Sequence, residues 1–373
     1  VTLAGCPLEE KISEMNLLKA EGFSVGALAM AAVDNPLLAA TGHRICNDCM
    51  KGCIFQKQDP VNIPEDETGV LTEVLKLPYG FEIYGLLTRF NPLNKKRPFA
   101  LGYNGNNALV VGLGPAGYTL AHYLANEGFG VVGIDALKLE PFDEMLSGIG
   151  RPYPKPIKNF AELTRELDER VLMGFGGVSE YGITVRWDKN FLTLIYLTLL
   201  RRQNLRFYGG VRFGGTLNLE DAWELGFKHV ALATGAGRPT LVDMKNNLSR
   251  GVRKASDFLM SLQLTGAFKK NSLANLQVRL PALIIGGGLT ALDTATETLA
   301  YYPVQVEKIL TQFETLSREF TEAHAWKLCD EEERETLQTF LDHARALREE
   351  RRAAEREKRK VNFIPLLREW GGV

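Results

Sequence analysis

The sequence is short of several features that would place it at once. It has no apolar run of the roughly twenty residues that a membrane-crossing helix needs. It has almost no net charge: 44 Lys and Arg stand against 45 Asp and Glu, giving -1. Nothing global therefore draws it to nucleic acid or to an anionic membrane. No Ser/His/Asp set and no pair of acid and base carboxylates stands out, so side-chain catalysis is not the expectation. No signal-peptide pattern is visible, and the chain opens on Val1, which predicts a processed chain or an excised fragment. Cysteine is scarce and odd in number. Of the five, Cys6, Cys46, Cys49, Cys53 and Cys329, three crowd together. That pattern argues against a disulfide framework and for metal binding in a reducing compartment, so a cytoplasmic location is expected. What remains is 373 residues, 45% hydrophobic and 24% charged, which suits a soluble globular protein of two or three domains.

The richest stretch is Ala108 to Asp135. An apolar run, Ala108 to Val111, reads as a buried parallel strand. It meets Gly112, Gly114 and Gly117, spaced G-x-G-x-x-G, with Pro115 and Ala116 between. Leu120, Tyr123 and Leu124 then follow a helical period, and Gly128 sits where a helix would stop. A second apolar run, Val131 to Ile134, ends in Asp135. Gly112 suits the tight turn, Gly114 a close backbone approach to pyrophosphate, and Gly117 close helix–strand packing. The helix N-terminus offers free N–H groups to phosphate. Asp135 stands where a carboxylate binds a ribose hydroxyl.

The motif returns. Ala282 to Ile285 reads as a strand leading to Gly286, Gly288 and Ala291, a G-x-G-x-x-A pattern, with a helix through Leu292, Ala295 and Leu299. Alanine in the third position favours NADPH. Two such motifs imply two dinucleotide sites, one for flavin and one for a nicotinamide. Asp293 reads as a carboxylate favouring the helix dipole. Tyr301 to Lys360 is charged and helix-prone, a solvated helix or helical hairpin.

Ahead of both motifs, helical periods at Glu9 to Ala20 and Val25 to Ala32 mark a helical region. Cys46, Cys49 and Cys53 follow it with C-x2-C-x3-C spacing, which lets thiolates converge on one metal centre. A zinc knuckle and a redox-active C-x-x-C at Cys46 and Cys49 are alternatives. His43 reads as a solvated loop residue. Asn91 to Asn107 is polar and turn-rich, a linker.

Several of these pieces resemble a known family. Gly5-Cys6-Pro7-Leu8, Thr41-Gly42, Cys46, Cys49, Cys53 and Pro60-Val61-Asn62-Ile63 are similar to the cysteine-rich segment of the small (beta) subunit of NADPH-dependent glutamate synthase and of the N-terminal part of dihydropyrimidine dehydrogenase. The resemblance continues through the first glycine motif, Gly176 to Thr184, Ala233-Thr234-Gly235, Ala255 to Leu259 and the second glycine motif. It implies FAD on Gly112, Gly114, Pro115, Ala116, Gly117 and Asp135. Gly177 and Gly182 would approach the flavin, and Thr234 and Gly235 would end a strand beneath it. NADP(H) would lie on Gly286, Gly288, Leu289, Thr290 and Ala291. The family carries two [4Fe–4S] clusters, so Cys6, Cys46 and Cys49, with Gln58, would serve one, and Cys53 the second. The chain departs from the family in three ways. The further cysteines upstream of Cys6 are absent, Leu289 breaks the second motif, and 138–173 and 301–360 are insertions. The fold class implied is α/β: an N-terminal α-helical iron–sulfur domain (1–90), an FAD-binding Rossmann-like domain (105–260) and a nested, incomplete NAD(P)H-binding Rossmann-like domain (275–373). The function implied is flavin-dependent electron transfer from NADPH through FAD to [4Fe–4S] clusters and a redox partner protein or domain. The alternatives are a thioredoxin-reductase-like disulfide oxidoreductase and a non-catalytic nucleotide-binding subunit.

Overall fold

A computed structural model of the chain describes residues 5–41, 46–166, 169–170, 174–181 and 188–373. The described residues fall into two compact units that divide at Pro239. Gly42, His43, Gly182, Ile183 and Thr184 lie outside the described residues.

The first unit opens on helices: α1 (Ile12–Ala20), α2 (Ser24–Asp34), the short α3 (Asp48–Gly52), α4 (Ile63–Leu75) and α5 (Gly80–Leu87). α2 buries Ala27, Leu28, Ala31 and Ala32, and α4, packed against it, buries Val70, Leu71 and Val74. Apolar residues three and four apart share one face, so each helix presents a stripe to the other.

A parallel sheet follows. Its elements in order are β1 (Asn107–Val111), α6 (Pro115–Asn126), β2 (Gly130–Asp135), α7 (Glu144–Ser147), α8 (Val178–Tyr181), α9 (Asn190–Leu200), β3 (Leu205–Gly209), α10 (Leu219–Glu224) and β4 (His229–Leu232). The strand order is β3-β2-β1-β4, with every pair parallel. Ala108 lies beside Val131 on one side and His229 on the other. β1 is central, and Ala108 to Val111 are all buried, which is why the run is continuously apolar rather than alternating. α9 is buried at every position from Phe191 to Leu200. A helix apolar on all sides belongs in the interior. α9 packs on β3 and on the turn Leu38–Ala40, and so joins the N-terminal helices to the sheet.

Residues 146–157 serve as a strap. Glu82 of α5 accepts the Ile157 N–H at 2.7 Å and pairs with Arg201, just past α9, at 2.8 Å. Arg201 also donates to the carbonyls of Leu146 and Lys155.

The second unit is helical: α11 (Ala255–Leu264), α12 (Leu289–Glu319), α13 (Glu322–Lys327), α14 (Glu331–Arg356) and α15 (Ile364–Glu369). α12 and α14 form the hairpin that the charged insertion suggests. They bury Tyr302, Val306, Leu310, Phe313, Phe340, Leu341, Ala344 and Leu347 in one core. Asp330 and Glu333 cap α14 reciprocally. Arg348–Glu314 and Arg351–Glu307 pair across the solvent side.

One expectation is corrected here. Ala282 to Ile285 forms no strand, and Leu283 and Ile285 are 86% and 63% exposed. A strand needs a partner for its backbone groups, and the described residues of this unit contain none. The nested Rossmann-like sheet expected within 275–373 is therefore not built. Its helix is: α12 begins directly after Gly288.

Leu347 is fully buried in the hairpin core. Leu347→Ala is expected to destabilise the second unit by about 2–5 kcal/mol through lost contacts and a cavity. Leu292→Ala, at an exposed position of the same core's longest helix, is expected to change stability by no more than about 0.5 kcal/mol. Urea unfolding followed by far-UV circular dichroism compares the two.

Candidate functional site

Two constellations stand out, both in the first unit. The first lies at the carboxyl end of the sheet. Gly112 leaves β1 with φ 98°, a left-handed value natural to glycine. A Cβ at Gly117 would stand 1.8 Å from the Gly112 carbonyl oxygen, and one at Gly112 would stand 2.4 Å from the Ala233 carbonyl oxygen. No other residue fits either place. Pro115 occupies the first turn of α6, where its missing N–H costs nothing. Gly114 is the N-cap and faces open space except for Gly177.

Three further segments meet this turn. Gly176 donates its N–H to the Leu113 carbonyl at 3.0 Å. A Cβ on Gly177 would stand 2.8 Å from the Gly114 Cα. β4 ends as Ala233 donates to the Val111 carbonyl, which leaves Thr234 and Gly235 exposed beside the Gly112 turn. At the end of β2, Asp135 accepts the N–H of Leu113 at 2.9 Å on one oxygen and that of Leu137 at 3.0 Å on the other. Each oxygen keeps a lone pair for another donor, such as a ribose hydroxyl. The free N–H groups of α6 and this open, Cβ-free surface fit a dinucleotide pyrophosphate.

In the second unit, Gly286 (φ 136°) closes onto Ala291, whose Cβ lies 3.4 Å from where a Cβ on Gly286 would be. Gly288 caps α12, and Leu289 and Thr290 occupy its first turn. The glycine turn and the helix start of the second motif are present there, without a strand beside them among the described residues. Asp293 is buried inside the helix rather than held at a solvent-facing terminus.

The second constellation is a small cavity in the helical region. Cys6, Cys46 and Cys49 line it, together with Glu10, Glu67 and Thr41. Cys53 and Gln58 do not: Cys53 ends α3, and Gln58 is exposed in the following turn. The side chain that faces the three cysteines is Glu67, on the inner face of α4. It lies three residues after Pro64, another wall residue, so both point the same way. A buried Glu amid an apolar stripe is the signal that sequence reading missed.

Burial pushes the Cys46 thiol up and the Cys49 thiol up to about 11, with the Glu67 charge adding to both. Burial and then the neighbouring Glu10 carboxyl push Glu67 up to about 9. Cys46, Cys49 and Glu67 are thus pushed toward their neutral forms, and a bound cation would reverse that preference. Among the described residues no group of three or more His, Cys, Asp or Glu stands in metal-holding geometry. The donor set, three thiols and two carboxyls around one space, is of the kind a thiophilic metal takes.

The fold and cradle define a dinucleotide-binding α/β oxidoreductase. The family model for pyridine nucleotide-disulphide oxidoreductases matches residues 106–337, and the chain belongs to that family, whose members bind FAD and NAD(P). An uncharacterized protein of Rickettsia prowazekii (strain Madrid E) is 48% identical over 322 residues, covering 86% of this chain. The chain spans 43% of that relative's length. Histamine dehydrogenase from Rhizobium sp. 4-9, a solved structure, is 21% identical over 48% of this chain and 23% of its own, with a TM-score of 0.24, too low to carry any argument.

Glu67 yields a pH prediction. Its carboxyl is raised above its unfolded value of 4.5. The folded state therefore holds the proton more tightly, and this contribution to stability is full below that value. It is lost progressively as pH rises toward about 9. Thermal unfolding of the wild-type chain is expected to soften across this window. Glu67→Gln should flatten that slope.

Proposed function

We propose that the chain is the electron-entry part of a flavin-dependent oxidoreductase of the glutamate synthase small-subunit type. FAD would lie on Gly112–Gly117, Asp135, Gly177 and Thr234–Gly235, and NADP(H) on Gly286–Ala291. A [4Fe–4S] cluster would be held by Cys6, Cys46 and Cys49 with Glu67. When bound, a flavin supplies the conversion of a two-electron hydride donor into single electrons that an iron–sulfur centre can pass to a redox partner protein. The chain's own residues place these groups. Asp135 would orient a ribose, and the α6 N-terminus would offset phosphate charge.

The observation that carries this reading is the cavity that draws Cys6 to Cys46 and Cys49, in the same unit as the nucleotide cradle. The raised thiol values weigh against the disulfide-exchange alternative. That chemistry needs an accessible thiolate, which a thiol near 11 does not supply at neutral pH. No described helix is long and apolar enough to cross a membrane, and a cytoplasmic setting accords with the reduced cysteines.

An anaerobic absorption spectrum of the chain, reconstituted with FAD, iron and sulfide, tests the reading. A flavin band near ~450 nm above a broad iron–sulfur shoulder, both bleached by NADPH, is the expected result. Cys49→Ser and Glu67→Ala should each remove the shoulder and leave the flavin band. A flavin without any shoulder would return the cysteines to zinc or structural roles. Failure to bind any dinucleotide would leave a non-catalytic scaffold.

A further inference from the structure

The cradle is closed on one side by α8 and the two glycines before it. What holds that piece in place lies behind it. Gly176 and Gly177 take φ values of 104° and 52°, and a Cβ on Gly176 would strike Leu192 of α9 at 2.4 Å. Four residues of helix cannot fix such a turn alone, because a single turn of helix is below the nucleation threshold.

The surrounding chain supplies a buried polar lock. Lys189, 3% exposed, donates its ammonium to the Ser179 carbonyl and to the Glu180 carbonyl at 2.8 Å. These are carbonyls of the one-turn helix, the groups that a short helix leaves without internal partners. On the other side, Arg170 forms a bidentate pair with the Glu180 carboxylate at 2.7 and 2.6 Å, and both residues are buried. Buried ion pairs contribute little net stability once desolvation is counted, but removing one partner leaves an uncompensated buried charge and is costly. The Lys189 and Arg170 bonds grip Ser179 and Glu180, in the segment that meets the glycine turn through the Gly176 N–H to Leu113 bond and the Gly177–Gly114 contact.

We propose that Lys189, seconded by the Arg170–Glu180 pair, is a positioning residue that holds the 176–181 segment against Gly114 and so sets the room for the pyrophosphate and flavin. This inference rests on the flavin reading of the cradle. Without the lock the segment samples other positions, and the apparent affinity for the dinucleotide falls in proportion to the competent fraction.

The test uses the whole chain with FAD as the probe. Lys189→Met should raise the FAD dissociation constant at least tenfold, roughly what a competent fraction of one tenth gives, and should shift the visible flavin band and its reduction potential. Lys189→Arg should recover most of the affinity. Leu194→Ala, a buried position of α9, should lower the melting temperature but leave the flavin band and affinity unchanged. Parent-like affinity and spectrum in a folded Lys189→Met would overturn the proposal. So would a loss in Leu194→Ala that matches the loss in Lys189→Met. If Lys189→Met does not fold, the shorter Lys189→Gln takes its place under the same two readings. If the parent chain itself binds no FAD, the flavin reading fails, and this inference fails with it.

Discussion

The first unit depends on one backbone contact, the approach of α6 to the end of β1. With a Cβ excluded at Gly117 by the Gly112 carbonyl, helix and strand meet at the distance of two bare backbones. That contact fixes where α6 begins and therefore where its free N–H groups point. Asp135 then ties β2 to the same turn through the Leu113 N–H, and Ala233 brings in β4. A dinucleotide site at the carboxyl edge of a parallel sheet is a product of these distances. The turn stays open where Gly112, Gly114 and Gly177 present bare backbone.

The cysteine cavity obeys a different constraint. In the cradle, positive ends of peptide dipoles gather at the surface to meet an anion. In the cavity, thiols and carboxyls gather away from water, and Cys46, Cys49 and Glu67 are driven toward their neutral forms. Five potential anions around one small space would be intolerable if ionised together, because each would be desolvated beside like charge. The arrangement is stable as neutral groups or as anions around a cation, and not in between.

Legibility in the sequence followed the range of the forces involved. β1, α6 and β2 are readable because apolar runs and periods are local signals, and glycine spacing is set by contacts within a few residues. The gathering of Cys6 with Cys46 and Cys49 rested on family resemblance, since tertiary packing of α2 on α4 brings them together. Gln58 was chosen by its place in the chain, but the turn after α3 carries it outward, while the period of α4 carries Glu67 inward. Lys189, Arg170 and Glu180 gave no signal at all. Isolated charged residues read as surface until the fold shows them buried.

The strand that did not form at Ala282 to Ile285 follows from the same logic. A helix satisfies its own backbone groups, so α12 can start at Gly288 without help from a sheet. It is also held further along by Tyr302, Val306 and Leu310 in the hairpin core. A strand satisfies none of its own, and Leu283 and Ile285 gain nothing by extension unless neighbours cover them. The glycine turn and helix N-terminus of the second motif are therefore set by local contacts and the hairpin, while its floor depends on partners that the unit does not contain among its described residues. The helix end of the motif is self-supporting, and the strand is conditional on neighbours that would cover Leu283 and Ile285.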